Sequence, residues 1–281
     1  MKTIRVRRRG FGAVIISLFL LPACHNTRDN GSASEESNPD IIKKEVILSP
    51  DTQDLLNRFP TPFEVTNMLQ EAGAPYIFSL TNPPANVSSY FTEKTKALNL
   101  GVYSTDLAYS SVYQKADETD KFLFCTGKLA GDLGIGGVYD KDLLKKANSY
   151  KDKRDSLISL VRNFFRATSD FLRRNNRTQV AVLVASGAFA EGLYITSSLC
   201  LLSPDNNAIR AGITGQKESL GKLLLILGEY SEDSNLKPVA DELSKLKDVF
   251  TLIGQGTSKP APKDLEQMVD ISGKVRAYMI K

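Results

Sequence analysis

The residues best suited to chemistry lie between Asn99 and Tyr113, in a stretch that carries Tyr103, Asp106, Tyr109 and Tyr113. On a helix these four share one face and its edge. Tyrosines offer apolar bodies with polar tips, and an acid among them can bind an amine, a sugar or a peptide. The competing reading is a core stripe in which Asp106 bonds a hydroxyl or caps a neighbouring helix. Glu191 is the second candidate, an acid inside the most apolar mature segment, Thr178 to Leu202. Buried there it must be paired or neutralised, either as a site residue with raised proton affinity or as the partner of an arginine or a backbone amide. The third candidate is basic. Arg162, Arg166, Arg173, Arg174 and Arg177 cluster on the polar face and end of one helical segment, diluted by Asp152, Asp155 and Asp170. They suit anionic lipid heads, a glycan or an acidic partner, or form a solvated, salt-bridged face.

Other chemistries find little support. The single histidine, His25, precedes the folded part, which excludes Ser-His-Asp and Cys-His catalysis and any His-ligated metal there. Cys125 and Cys200 sit in apolar helical contexts without a Cys-x-x-Cys spacing, so buried free thiols are expected, with a disulfide as the alternative. Gly131, Gly134, Gly136 and Gly137 lack the order and flanks of a nucleotide loop and read as a connection between helices. No metal or cofactor is called for.

The N-terminus gives an address. Residues 1–23 run from a basic start (Lys2, Arg5, Arg7, Arg8, Arg9) through an apolar core, Phe11 to Leu21, to Leu21-Pro22-Ala23-Cys24. The core is too short for a retained span and has the flanks of a signal peptide. A cysteine after Leu-x-Ala resembles a bacterial lipobox, which implies acylation at Cys24. Pro22 departs from the usual pattern, and Arg8-Arg9-Gly10-Phe11 also resembles a twin-arginine signal. Five of the 36 basic residues lie in residues 1–23, which hold no acid; the remaining 31 face 32 acidic residues, a net charge of −1. The bulk-charge argument for a nucleic-acid partner disappears with the signal. Residues 24–45, polar and poor in apolar side chains, read as a flexible tether.

Residues 46–281 read as one all-α domain of roughly ten antiparallel helices, for which a superhelical stack of helical hairpins is the natural arrangement. The expected helices are 51–58, 62–72, 87–98, 102–115, 118–131, 140–149, 154–174, 178–202, 207–229, 236–253 and 264–280. Thr61-Pro62-Phe63-Glu64 is a helix start with a capping box. Tyr76 to Leu80 is the one β-like run. Thr178–Leu202 would just span a bilayer, but a central core helix avoids the cost of placing Glu191 in lipid, and Gly187, Ala188, Ala190 and Gly192 allow close helix approach.

The lipobox, Phe59-Pro60-Thr61-Pro62-Phe63-Glu64-Val65 and Leu100-Gly101-Val102-Tyr103-Ser104-Thr105-Asp106-Leu107-Ala108-Tyr109 together resemble helical lipoproteins of Bacteroidota. That resemblance implies an envelope lipoprotein and supplies no catalytic residue. The expectation is a protein held to a membrane, the outer one by preference, through its N-terminal lipid. It would bind an envelope protein or glycan. An Asp/Glu-dependent glycan hydrolase and a small-molecule sensor are the alternatives. Mass spectrometry of the mature N-terminus should find an acylated Cys24, and Cys24→Ser should abolish the acyl mass. A mature chain that starts elsewhere without acyl mass would reject the lipobox.

Overall fold

The helical periodicities are realised as ten α-helices among the described residues, with no strand among them. The computed structural model describes residues 48–138, 145–147, 149–150, 153–253 and 261–281. The chain divides into two units, 1–44 and 45–281, and every described residue belongs to the second. The signal, Cys24, the tether and most of the helix expected at 140–149 lie outside the described residues.

In chain order the helices are α1 (Pro50–Asn57), α2 (Pro62–Glu71), α3 (Glu93–Val112), α4 (Ala116–Asp132), α5 (Arg154–Arg174), α6 (Thr178–Leu202), α7 (Asn207–Gly228), α8 (Leu236–Ser244), α9 (Leu246–Ile253) and α10 (Pro262–Met279). Their starts follow local chemistry. Ser49 accepts the Thr52 amide at 3.3 Å ahead of Pro50. Thr92 accepts the Thr95 amide at 3.0 Å. Asn206 accepts the amides of Ala208 and Ile209 at 3.1 and 3.2 Å. Each pairing satisfies a helix-end N–H that has no partner within the helix. At α2 only half of the expected capping box forms: Glu64 accepts the Thr61 amide at 2.9 Å, and the Thr61 hydroxyl bonds nothing.

Helix α6 is the axis. It packs most extensively on α3, then on α10 and α7, with α2, α5 and α8 completing the ring. Contacts therefore converge on one buried helix, and do not run from each hairpin to the next as in a superhelical stack. Long and apolar enough to cross a membrane, α6 is enclosed by protein, with 94% of its apolar window buried. Its hydroxyls are satisfied on the helix itself: Ser186, Thr196 and Ser197 donate to the carbonyls of Val182, Gly192 and Leu193 at 2.8, 2.7 and 2.6 Å.

Three expected boundaries moved. The helix expected at 87–98 begins only at Glu93, after a 3-10 turn at Pro84–Ser89, and runs straight through Gly101 into the segment expected at 102–115 as one helix, α3. The helix expected at 236–253 divides at Lys245 into α8 and α9. Tyr76 to Leu80 is not a strand; Phe78–Leu80 forms a 3-10 turn within an irregular segment that links α2 to α3.

Gly101 is continuous helix because it is a crossing point. A Cβ there would lie 2.0 Å from the Val184 carbonyl oxygen of α6, and a Cβ on Gly187 would lie 1.9 Å from the Leu98 carbonyl oxygen of α3. The two backbones meet where both helices lack side chains. Thr105 reinforces the crossing by donating to the Ala188 carbonyl at 3.2 Å. Gly101→Ala or Gly187→Ala should therefore destabilise by about 3 kcal/mol or more, a Tm drop of about 6–12 °C for a domain of this size. Gly192→Ala is the control. Its Cβ would meet Val65 at an ordinary 3.7 Å, so thermal melting should stay near wild type or rise. Equal behaviour of the three variants would overturn the crossing argument.

Candidate functional site

Tyr103, Asp106 and Tyr109 fall on one face of α3, with Tyr113 capping its end on the same side, and that face is turned inward. Tyr103, Asp106 and Tyr109 are fully buried. Each residue bonds a backbone group of the irregular segment 74–83. The Tyr113 hydroxyl donates to the Ala74 carbonyl at 2.8 Å, and the Tyr109 hydroxyl donates to the Pro75 carbonyl at 3.0 Å while accepting the Ile77 amide at 2.9 Å. Asp106 accepts the Asn82 amide at 3.1 Å, and the Tyr103 hydroxyl donates to the Pro83 carbonyl at 2.9 Å. The order of partners runs opposite to α3, so the stripe works as a side-chain ladder for backbone that no strand or helix pairs. Tyr76 closes it by packing its ring 4.6 Å from that of Tyr109 and 5.7 Å from that of Tyr113. Burial pushes the Tyr109 hydroxyl up to about 12 and raises Tyr103 and Tyr113 further, so these hydroxyls stay protonated donors.

Glu191 joins the same network from α6. Arg276 of α10 grips its carboxylate with both nitrogens, Nε to Oε2 at 2.6 Å and a terminal nitrogen to Oε1 at 2.9 Å. The guanidinium also lies 4.7 Å from the Tyr194 ring centre. Asp106 is the third member. Arg276 bonds Glu191 alone, and Asp106 feels both charges, so the cluster is neutral only with one carboxyl protonated. Burial raises Glu191, but the Arg276 charge and bonds pull it back; burial and the adjacent Glu191 charge both raise Asp106, well above the carboxylate range. The proton belongs on Asp106. Neither acid is exposed, so the arrangement locks helices together and leaves no face for a substrate.

Burial also pushes the thiols up, Cys125 to about 12 and Cys200 to about 11, and both are free. Among the described residues no three His, Cys, Asp or Glu side chains come together as metal ligands.

The opening to solvent lies elsewhere. A cleft of about 410 Å³ is bounded by the α1–α2 junction, α5 and the start of α6, a volume typical of small-molecule sites. Leu56, Leu172, Ala181, Val184 and Ala185 make its apolar surface, with Phe59 and Phe165 on the walls. Arg58, Arg166, Arg173, Glu64 and Asp170 supply charge. Both acids are engaged, Glu64 by the Thr61 amide and Asp170 by Arg173. Thr61, Thr168 and Arg173 each carry a buried polar atom with no hydrogen-bond partner: two hydroxyl oxygens and a guanidinium Nε. Such atoms cost about 1–3 kcal/mol apiece, and these three are closed to solvent, packed behind the surface of the cleft that their residues line.

The basic cluster divides accordingly. Arg166 and Arg173 line the cleft. Arg162 stacks over the Phe63 ring at 4.5 Å. Arg177 bonds the Leu133 carbonyl, and its other terminal nitrogen bonds Glu93 at 2.6 Å. Arg174 remains on the exposed surface. Thr168 was hidden from sequence reading because it holds an apolar position in the α5 pattern; its signal is a hydroxyl one turn beyond Phe164 and Phe165 on the inward face. No protein family, curated protein or solved structure matches the chain.

The buried cluster makes a signed prediction. Glu191→Gln leaves the Arg276 charge unbalanced and should cost about 3–5 kcal/mol. Asp106→Asn mimics the protonated acid and should cost much less. Because the folded state holds the Asp106 proton more tightly than the unfolded chain, its contribution is full below the ordinary carboxylate range and declines as pH rises through the raised value. Wild type should therefore lose Tm relative to Asp106→Asn as pH increases from about 4. Parallel Tm–pH curves would show that Asp106 is ionised in the fold.

Proposed function

We propose that this is a lipid-anchored cell-envelope protein that acts by binding, with the cleft between the α1–α2 junction, α5 and α6 as its binding site. The observation that carries the reading is an open cleft of about 410 Å³ in which an apolar surface meets charged and polar side chains. The anchor rests on the signal and Cys24. A tether between lipid and domain leaves the cleft able to face soluble material near the membrane.

Binding is favoured over hydrolysis by the placement of the acids. A glycosidase needs two carboxyls facing each other across a substrate groove. Asp106 and Glu191 are sealed in the core, and Glu64 and Asp170 are spent on an amide and an arginine.

The test is to purify the protein from envelope extract, denature it and identify released small molecules by mass spectrometry, beside a Ser169→Trp variant. Ser169 lines the cleft and is half-buried, so an indole there should occupy the cleft with little effect on the core. A compound enriched with wild type and depleted at least tenfold with Ser169→Trp is the expected result. Equal recovery from both would remove the cleft from the function.

A further inference from the structure

We infer that α1 is a hinged wall of this cleft, latched shut by Glu229, so that release of the latch opens the cleft to a ligand; its bearing on binding rests on the cleft being the site. The two ends of α1 do different work. Its C-terminal end, Leu56 and Asn57, lines the cleft together with Arg58 and Phe59 that follow. Its N-terminal end is fastened to the end of α7 through one carboxylate. Glu229 accepts the Ser49 amide at 2.9 Å and the Ser49 hydroxyl at 2.7 Å, and accepts the Thr52 hydroxyl as well. These bonds hold the Glu229 carboxyl below the usual carboxylate range.

Little else holds α1. It packs chiefly on α7. Of its eight residues only Thr52 and Leu56 are buried, and Leu48 adds one apolar contact just ahead of it. The ion pair of Arg58 with Asp54, at 3.0 Å, stays within α1 and its cap. A helix this short does not persist in water without tertiary support. Across the junction, α2 buries Pro62, Phe63, Thr66 and Leu69 and packs on α3, α6 and α7, so it stays in place. Pro60 and Pro62 fix their own φ and restrict Phe59 and Thr61 before them. The freedom to swing therefore sits at the C-terminal end of α1. Segments with few buried apolar contacts open ahead of the core, and here the segment that opens first is a wall of the cleft.

A cysteine on the cleft floor reads this motion without any ligand. Ala185 is buried, lines the cleft and lies one turn before Phe189, whose ring centre is 6.4 Å from that of Phe59. In the full-length Ala185→Cys protein, iodoacetamide should modify the introduced thiol slowly, as followed by peptide mass spectrometry. Glu229→Ala should speed that reaction by about tenfold or more, while Cys125 and Cys200, both buried and free, keep their slow rates. Ser49→Ala with Thr52→Val should do the same. Adding Glu229→Ala to that pair should give no further gain, because the three residues serve one latch. An unchanged rate at the introduced thiol overturns the inference. So does equal acceleration at Cys125 and Cys200, which marks opening of the whole domain, and so does a parent rate already as fast as in the denatured chain. These outcomes leave ligand capture to be decided by the Ser169→Trp comparison, so failure of the latch and failure of the binding site are told apart.

Discussion

Everything in this fold depends on how closely α3 and α6 approach. Backbone contact at Gly101 and Gly187 brings two helices together where a single methyl group on either would collide with a carbonyl oxygen. Helices normally pack at about 8–10 Å between axes, set by the side chains at the contact. Removing the side chains on both partners takes the crossing to the short end of that range. The consequence is positional. With the two helices in contact at Gly101 and Gly187, Thr105, one turn beyond Gly101, reaches the Ala188 carbonyl, and the adjacent Asp106 falls into one buried cluster with Glu191, one turn beyond Gly187.

That cluster explains why the chain tolerates two acids in its core. A buried ion pair is rarely a net gain over apolar packing, yet breaking one is costly. Arg276 brings the last helix, α10, onto the axis, and Asn99 adds a bond from its side-chain nitrogen to the Met279 carbonyl at 3.0 Å. Asn82 ties the irregular segment to the same place, giving its amide to Asp106 and its side-chain nitrogen to the Tyr90 hydroxyl at 2.9 Å. Three regions far apart in sequence thus close on one polar knot. Such a knot rewards only one arrangement, because any slip of α10 or α3 strands a charge.

The helix periods were legible in the sequence, and so was the role of Gly187 in close packing. Gly101 was not, because glycine serves both as a helix breaker and as a contact point, and only the partner helix distinguishes the two. The tyrosine stripe was visible as a face, but its partners are backbone groups of segment 74–83, which carry no side-chain signature. Glu191 announced a partner without naming it; Arg276 lies 85 residues away in a helix whose charges look like an ordinary solvated face. The cleft was partly legible. Arg166 and Arg173 stood out as a basic cluster, whereas Thr61 read as a satisfied cap. The half-formed cap at Thr61 depends on where its hydroxyl ends up in three dimensions, which spacing alone does not specify.

The same small residues that make the crossing also account for the cleft. On the α3 side, the missing side chains of α6 are answered by another glycine, and backbone fills the space. On the α5 side, Ala181, Val184 and Ala185 meet Phe165, Thr168 and Leu172, with no glycine among them. Small residues on α6 leave room beside the larger side chains of α5, and the two helices, though in contact, do not fill the space at this end. The α1–α2 junction closes one end with Phe59 and Thr61, and Pro60 and Pro62 limit how far its backbone can follow inward. An apolar floor, a polar wall and an unfilled volume are therefore three results of one mismatch in side-chain size, at a place where α6 is pinned from its other side and cannot move to close it.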